Sequence, residues 1–163
     1  MRSDPVRLAL LALGLLGPAM LAGALAFQHL LGLAPCVLCV WQRWPWVAVA
    51  LIGLLGAFLL PARLRPAALG LAAVTLLVGA GIAGFHVGVE QQWWAGTAEC
   101  GSGNLYGSGA SVADIRRQLM STPVVRCDEV AWSLAGISMA GWNGLIGLAA
   151  AAFALRALVA GRA

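Results

Sequence analysis

The chain has 163 residues, of which 61% are hydrophobic and only 10% charged. A soluble domain carries roughly a quarter charged residues, so a water-facing surface of normal extent is excluded. The net charge of +4 rests on arginines placed singly or in twos between apolar runs, and this scatter excludes the basic stripe of a nucleic-acid-binding surface.

The apolar residues gather in long runs that predict four membrane spans, over residues 8–27, 40–60, 67–87 and 134–155. A run of about 20 residues rising ~1.5 Å each crosses the roughly 30 Å hydrocarbon core. Each run is rich in Gly and Ala, which let membrane helices approach closely. The first has a competing reading, because Arg2 and Arg7 ahead of an apolar stretch ending in Ala24-Leu25-Ala26 resemble a cleaved signal peptide. Its apolar length exceeds the roughly 7–15 residues of such a segment, which favours a span.

Arginine placement orients the spans. Arg2, Arg7, Arg63, Arg65, Arg156 and Arg162 fall on one side, whereas the long connection over residues 88–133 holds Arg116, Arg117 and Arg126 beside acids. The bias of positive charge toward the cytoplasm places both termini there and all four cysteines at the outer, oxidising face. Trp41, Trp44 and Trp46 before span two, and Trp93 and Trp94 after span three, suit the headgroup level of that face. For Trp132 and Trp142, packing between helices is an equal alternative.

Ala34-Pro35-Cys36-Val37-Leu38-Cys39-Val40-Trp41-Gln42-Arg43 is the sharpest signal in the chain. Proline favours a first helical turn, which sets Cys36 at a helix N-terminus where partial positive charge stabilises a thiolate. Cys36, Cys39 and Arg43 share one helical face, so the guanidinium can act on the second thiol and donate to an acceptor oxygen. Pro45 cannot donate to the Trp41 carbonyl, which predicts a kink and space for a flat ring. Haem attachment would need His where Val40 stands, and a closed zinc site would need two further ligands. Metal binding and simple packing remain the alternatives to redox chemistry.

Cys100 and Cys127 bracket a polar stretch dense in Gly and Ser. A structural bridge closing such a loop would stabilise the fold by about 3–4 kcal/mol in the chain-entropy model. A labile, exchanging bridge is the other reading, and the glycine-rich flanks suit it. Between these cysteines, Ser111-Val112-Ala113-Asp114 resembles a helix cap, with Val112, Ile115 and Leu119 on one face, so a short amphipathic helix is expected on the membrane surface or docked on the bundle. His86, near the outer end of span three and four residues before Glu90, is a functional candidate by its depth, or a histidine simply bonded to Glu90 or a backbone carbonyl.

Together these features resemble the DsbB family of disulfide-generating membrane proteins. The likeness runs through Phe27-Gln28-His29 at the end of span one, the Pro-Cys-Val-Leu-Cys segment with Arg43 beyond it, the second cysteine pair in the outer loop, and the fourth span. It implies an all-α membrane protein, a four-transmembrane-helix bundle of the bacterial inner membrane with a long periplasmic loop. It implies a quinone-dependent protein-thiol oxidoreductase. A reduced periplasmic DsbA-like thioredoxin-fold partner would attack the Cys100–Cys127 disulfide through Cys100, and Cys127 would reduce a Cys36–Cys39 bridge. Cys39 would then engage ubiquinone or menaquinone, with Cys36 resolving it, and Arg43 and His86 would flank the quinone. Gln42 stands where some members carry an acid and is assigned no role. The energetics of the resemblance are those of the family itself, for which a DsbA near about −120 mV needs a strong acceptor, each 30 mV being about 1.4 kcal/mol. The alternative from another class is a non-enzymatic four-helix scaffold whose disulfides only staple its outer loop.

Overall fold

A computed structural model describes residues 4–100, 111 and 125–161. Four long apolar helical segments cross in up-and-down order: α1 (Pro5–His29), the paired α2 (Val37–Trp41) and α3 (Arg43–Phe58), α4 (Arg65–Glu90) and α5 (Met139–Ala160). The helix expected after Ser111 lies outside the described residues.

The bundle is built inside out relative to a soluble protein. Its interior is largely small, with Ala9, Ala57, Ala72, Ala73, Ala151 and Ala154 buried around Leu10, Leu13, Leu69 and Leu76. Large apolar side chains such as Leu15, Leu51, Phe58 and Leu71 face outward. Lipid solvates those side chains as well as a core would, so close packing of small residues joins the helices. The tightest seam lies between α1 and α3. A Cβ on Gly53 would stand 2.5 Å from the Leu10 carbonyl oxygen and 2.6 Å from the Gly14 nitrogen, so the two backbones touch there.

The second span is broken where the sequence predicts it. Gln42 separates α2 from α3, because the Pro45 ring has no N–H for the Trp41 carbonyl. At the other end of the bundle, Asp4 caps α1 by accepting from the Val6 and Arg7 N–H groups and receives Arg65 Nη1 at 2.9 Å, tying α1 to the start of α4. α5 begins at Met139, later than the 134 expected, because a hairpin of β1 (Ser133–Leu134) and β2 (Ile137–Ser138) precedes it. Ala135 (φ 54) and Gly136 (φ +77) form its turn, the positive-φ pair that a two-residue hairpin requires. Ser138 ends the hairpin by capping Gly141 N–H of α5 and donating to Glu90 at the end of α4. Thus the hairpin fastens α5 to α4 beside the cysteines.

Candidate redox site

Cys36 caps α2, its Sγ accepting the Cys39 N–H at 3.2 Å, and the two sulfurs stand 2.9 Å apart as free thiols. Pro35 lies one residue before this cap rather than inside the first turn, which leaves the Cys36 side chain to serve as the cap itself. The Cys39 thiol, His86 and the Cys39 N–H all bond toward the Cys36 sulfur and hold it well below the ordinary thiol range, against the opposing effect of burial.

The two cysteines differ in surroundings: both touch the cluster of the second pair, but of the two only Cys39 also borders the cavity. Cys36 is buried in one cluster with Leu38, Val89, Cys100 and Cys127, the last two joined in a disulfide with Cα atoms 5.1 Å apart. Both cysteines of this bridge are buried, Cys127 completely. Cys39 lines an apolar cavity of about 360 Å³ between α1, α3 and α5, within the roughly 300–1,000 Å³ typical of small-molecule sites. Phe27, Arg43, Trp46, Trp132 and Asn143 share its wall, Phe27 and Trp132 meeting edge to face at 5.0 Å. Arg43 donates through Nη1 to Gln28 Oε1 at 2.9 Å, while its Nε is buried without a partner.

His86 is placed against the thiols and not on the cavity wall. Its Nε2 stands 3.6 Å from Cys36 Sγ and 4.0 Å from Glu90 Oε1. Behind it runs a line of amides. Gln42 Nε2 meets His86 Nδ1 at 2.7 Å, Asn143 Nδ2 donates to Gln42 Oε1 at 2.6 Å, and Trp46 Nε1 donates to Asn143 Oδ1 at 2.6 Å. Trp46, expected with Trp41 and Trp44 at the headgroups, is therefore an interior residue, whereas the other two are exposed. Gln42, assigned no role from the sequence, and Asn143, which no motif marks, thus both belong to the site. The available signal was an uncharged amide within an apolar run, itself expensive in lipid.

Cys36, Cys39 and His86 bring their ligand atoms within 4.8 Å of one another. Two thiolates on zinc, each bound at about 2.3 Å with tetrahedral angles, sit roughly 3.8 Å apart. The observed 2.9 Å between sulfurs suits a dithiol about to close, not a pair spread around a cation.

Comparison with known proteins gives the family of the chain. The family model described as disulfide bond formation protein DsbB matches residues 6–157. A disulfide bond formation protein B of Dechloromonas aromatica is 36% identical over 159 residues, covering 93% of this chain and 91% of that protein. Its namesake in Methylococcus capsulatus is also 36% identical, covering 84% of each chain, and that of Aromatoleum aromaticum is 33% identical over 77% of this chain and 78% of its own. No solved structure matches. A four-span bacterial membrane protein with a close thiol pair packed beside a disulfide, matched over nearly all its length, belongs to the DsbB family of disulfide bond formation proteins.

Proposed function

We propose that the chain reoxidises a periplasmic DsbA-type dithiol protein through Cys100–Cys127 and Cys36–Cys39 and passes the electrons to ubiquinone or menaquinone. The observation that carries this is the two-sided thiol pair, with Cys36 packed against the second disulfide and Cys39 on the wall of an apolar cavity. Both termini are cytoplasmic and the cysteines periplasmic in the inner membrane. The described arginines support this, since Arg65 and His86 lie at opposite ends of α4, about 30 Å apart at ~1.5 Å per residue.

A partner thiolate attacks Cys100 Sγ; the bond to Cys127 breaks and its electron pair leaves on Cys127. Because both cysteines are buried, the segment around them must open first. The partner's second thiolate closes the partner's own disulfide and releases Cys100. Cys127 attacks Cys36 Sγ, and the bond to Cys39 breaks with the charge left on Cys39 at the cavity. Cys100 then attacks Cys127, restoring the loop disulfide and freeing Cys36. Two electrons have moved from the partner to the Cys36/Cys39 dithiol. The cavity fits a quinone in size, in its apolar lining and in the Arg43 guanidinium on its wall, a donor group suited to a ring oxygen. A quinone held there supplies the capacity to take two electrons and two protons from the dithiol.

The test combines purified protein in lipid with a reduced thioredoxin-fold dithiol and each quinone, followed by quinone absorbance. Catalytic reduction that disappears in Cys39→Ser and Cys100→Ser is expected. Stoichiometric zinc on the cysteines, or no reduction of either quinone, overturns the proposal.

A further inference from the structure

We infer that Trp46, Asn143 and Gln42 are positioning residues that fix the tautomer of His86, so that its Nε2–H points at Cys36. The argument starts from the one group in the line that has no choice. An indole N–H can only donate. Trp46 Nε1 lies 2.6 Å from Asn143, so the atom it meets must be the carbonyl oxygen, and the Asn143 amide nitrogen is turned to Gln42. That nitrogen donates, at 2.6 Å, so Gln42 presents its own oxygen there and its NH₂ to His86. Gln42 Nε2 then donates to His86 Nδ1 at 2.7 Å, and Nδ1 accepts. The ring proton is left on Nε2, the nitrogen 3.6 Å from Cys36 Sγ.

Gln42 and His86 are both buried, so water is poorly placed to compete with these bonds. An N–H facing Cys36 stabilises that sulfur whenever a disulfide bond to it breaks and the electron pair stays on Cys36. The reversed tautomer would offer a lone pair, which favours the neutral thiol. Among the described residues, the titratable groups around Cys36 are Cys39 on its own segment, and His86 and Glu90 from α4; Cys100 and Cys127 are bridged. Glu90 Oε1, 4.0 Å from Nε2, also favours a proton on that nitrogen. The role of Cys36 in exchange rests on the function proposed above, but the tautomer does not.

The chain has two histidines, and His29 is exposed, so His29→Gln leaves His86 as the sole reporter. In that background, ¹⁵N-histidine spectra of the full chain in lipid should show a protonated Nε2 and an unprotonated Nδ1. Asn143→Asp replaces the amide by an isosteric acceptor that takes hydrogen bonds from both Trp46 and Gln42. Gln42 then turns its oxygen to the ring, and the proton should move to Nδ1. Trp46→Phe, which removes the fixed donor, should give a mixture of the two tautomers. In the reduced protein the pH midpoint for Cys36 alkylation should rise in both variants. A wild-type ring protonated at Nδ1, alone or together with Nε2, overturns the inference whether or not either variant folds. So does an unchanged spectrum in folded Asn143→Asp. Failure of quinone reduction with the expected spectrum would instead reject the proposed function and leave the tautomer standing.

Discussion

His86 stands between two cysteine pairs, its Nε2 3.6 Å from Cys36 Sγ while the Cys127 backbone also faces its ring. A single side chain from α4 thus borders the thiol that caps α2 and the disulfide of the outer loop. Exchange between pairs needs the pairs to be neighbours and a local field that tolerates thiolate; here Cys36, Cys100 and Cys127 pack in one cluster, and Cys36 is held toward its charged form.

The lowered Cys36 titration has a direct consequence for reactivity. An ordinary cysteine ionises near pH 8.5 and loses thiolate, and with it alkylation rate, through neutral pH. Cys36 should keep its thiolate well below that range in the reduced protein, because hydrogen bonds from Cys39 and His86 favour the charged form. The Cys39 thiol is the first of those causes, so Cys39→Ala should move the alkylation midpoint upward toward the ordinary value. Mass-spectrometric rates of iodoacetamide labelling between pH 4 and 10 (roughly the span over which a thiol titrates) measure this. A midpoint near 8.5 that ignores the substitution would show that those bonds do not stabilise charge.

Arg43 is tethered by Gln28 through Nη1 and shares the cavity wall with Cys39. Lysine keeps the charge but loses the planar fork and the Nε donor. A hydrogen bond from a charged group contributes about 1.5–3 kcal/mol, so Arg43→Lys should raise the apparent KM for quinone on the order of tenfold to a hundredfold. Exchange between the two cysteine pairs, followed by trapping of mixed disulfides, should be little changed. A variant with wild-type quinone kinetics would remove Arg43 from the binding role.

Much of this arrangement was readable from the chain. Four apolar runs gave the spans because lipid imposes a length threshold that few other settings impose. Pro45 gave the break at Gln42 because a missing N–H acts locally. The start of α5 was misplaced because residues 133–138 are as apolar as a helix end, and only the positive-φ pair Ala135–Gly136 separates them as a hairpin. The Trp46–Asn143–Gln42–His86 line was not legible, since it joins residues 97 and 101 positions apart through contacts fixed only when α3 and α5 pack. Likewise, no spacing rule tells which of Cys36 and Cys39 borders the cavity. That difference comes from the cap geometry of Cys36 and the direction of one short helix.

Asp4 offers a pH test at the opposite end of the bundle. Its carboxylate lies below the usual range, first because the Arg7 N–H bonds to it; burial opposes this, and Arg65 and the Val6 N–H add to the lowering. A carboxyl depressed by folding stabilises the native state above its unfolded pKa, near 3.9, and that contribution fades as pH falls through the lower folded value. Loss of an N-cap costs about 0.5–2 kcal/mol, so Asp4→Ala should lower thermal stability by that order at pH 7. The gap between variant and wild type should narrow as pH falls through the lowered folded value, where the wild type loses the charge as well. Melting followed by circular dichroism in detergent measures both, and a gap that does not depend on pH would mean the carboxylate charge contributes nothing to the cap.

Two glycines separate backbone contact from mere helix flexibility. At Gly53 an added Cβ would meet the backbones of Leu10 and Gly14 at 2.5 and 2.6 Å, and neither atom belongs to a side chain that can swing away. Gly53→Ala must therefore drive α1 from α3, an overpacking cost of about 1–3 kcal/mol that exceeds the roughly 1 kcal/mol alanine gains in helix propensity. At Gly70 an added Cβ meets nothing within 4 Å, so the same change in α4 should keep the propensity gain. Denaturation of the two variants in the same detergent should move in opposite directions. The seam also runs toward the cavity, since a Cβ on Gly17 would stand 2.7 Å from the carbonyl oxygen of Trp46, a cavity residue. Gly53→Ala should consequently weaken quinone turnover as well as stability, while Gly70→Ala leaves turnover near wild type. Equal shifts from both substitutions would mean that the close approach of α1 and α3 contributes no more than backbone stiffness does.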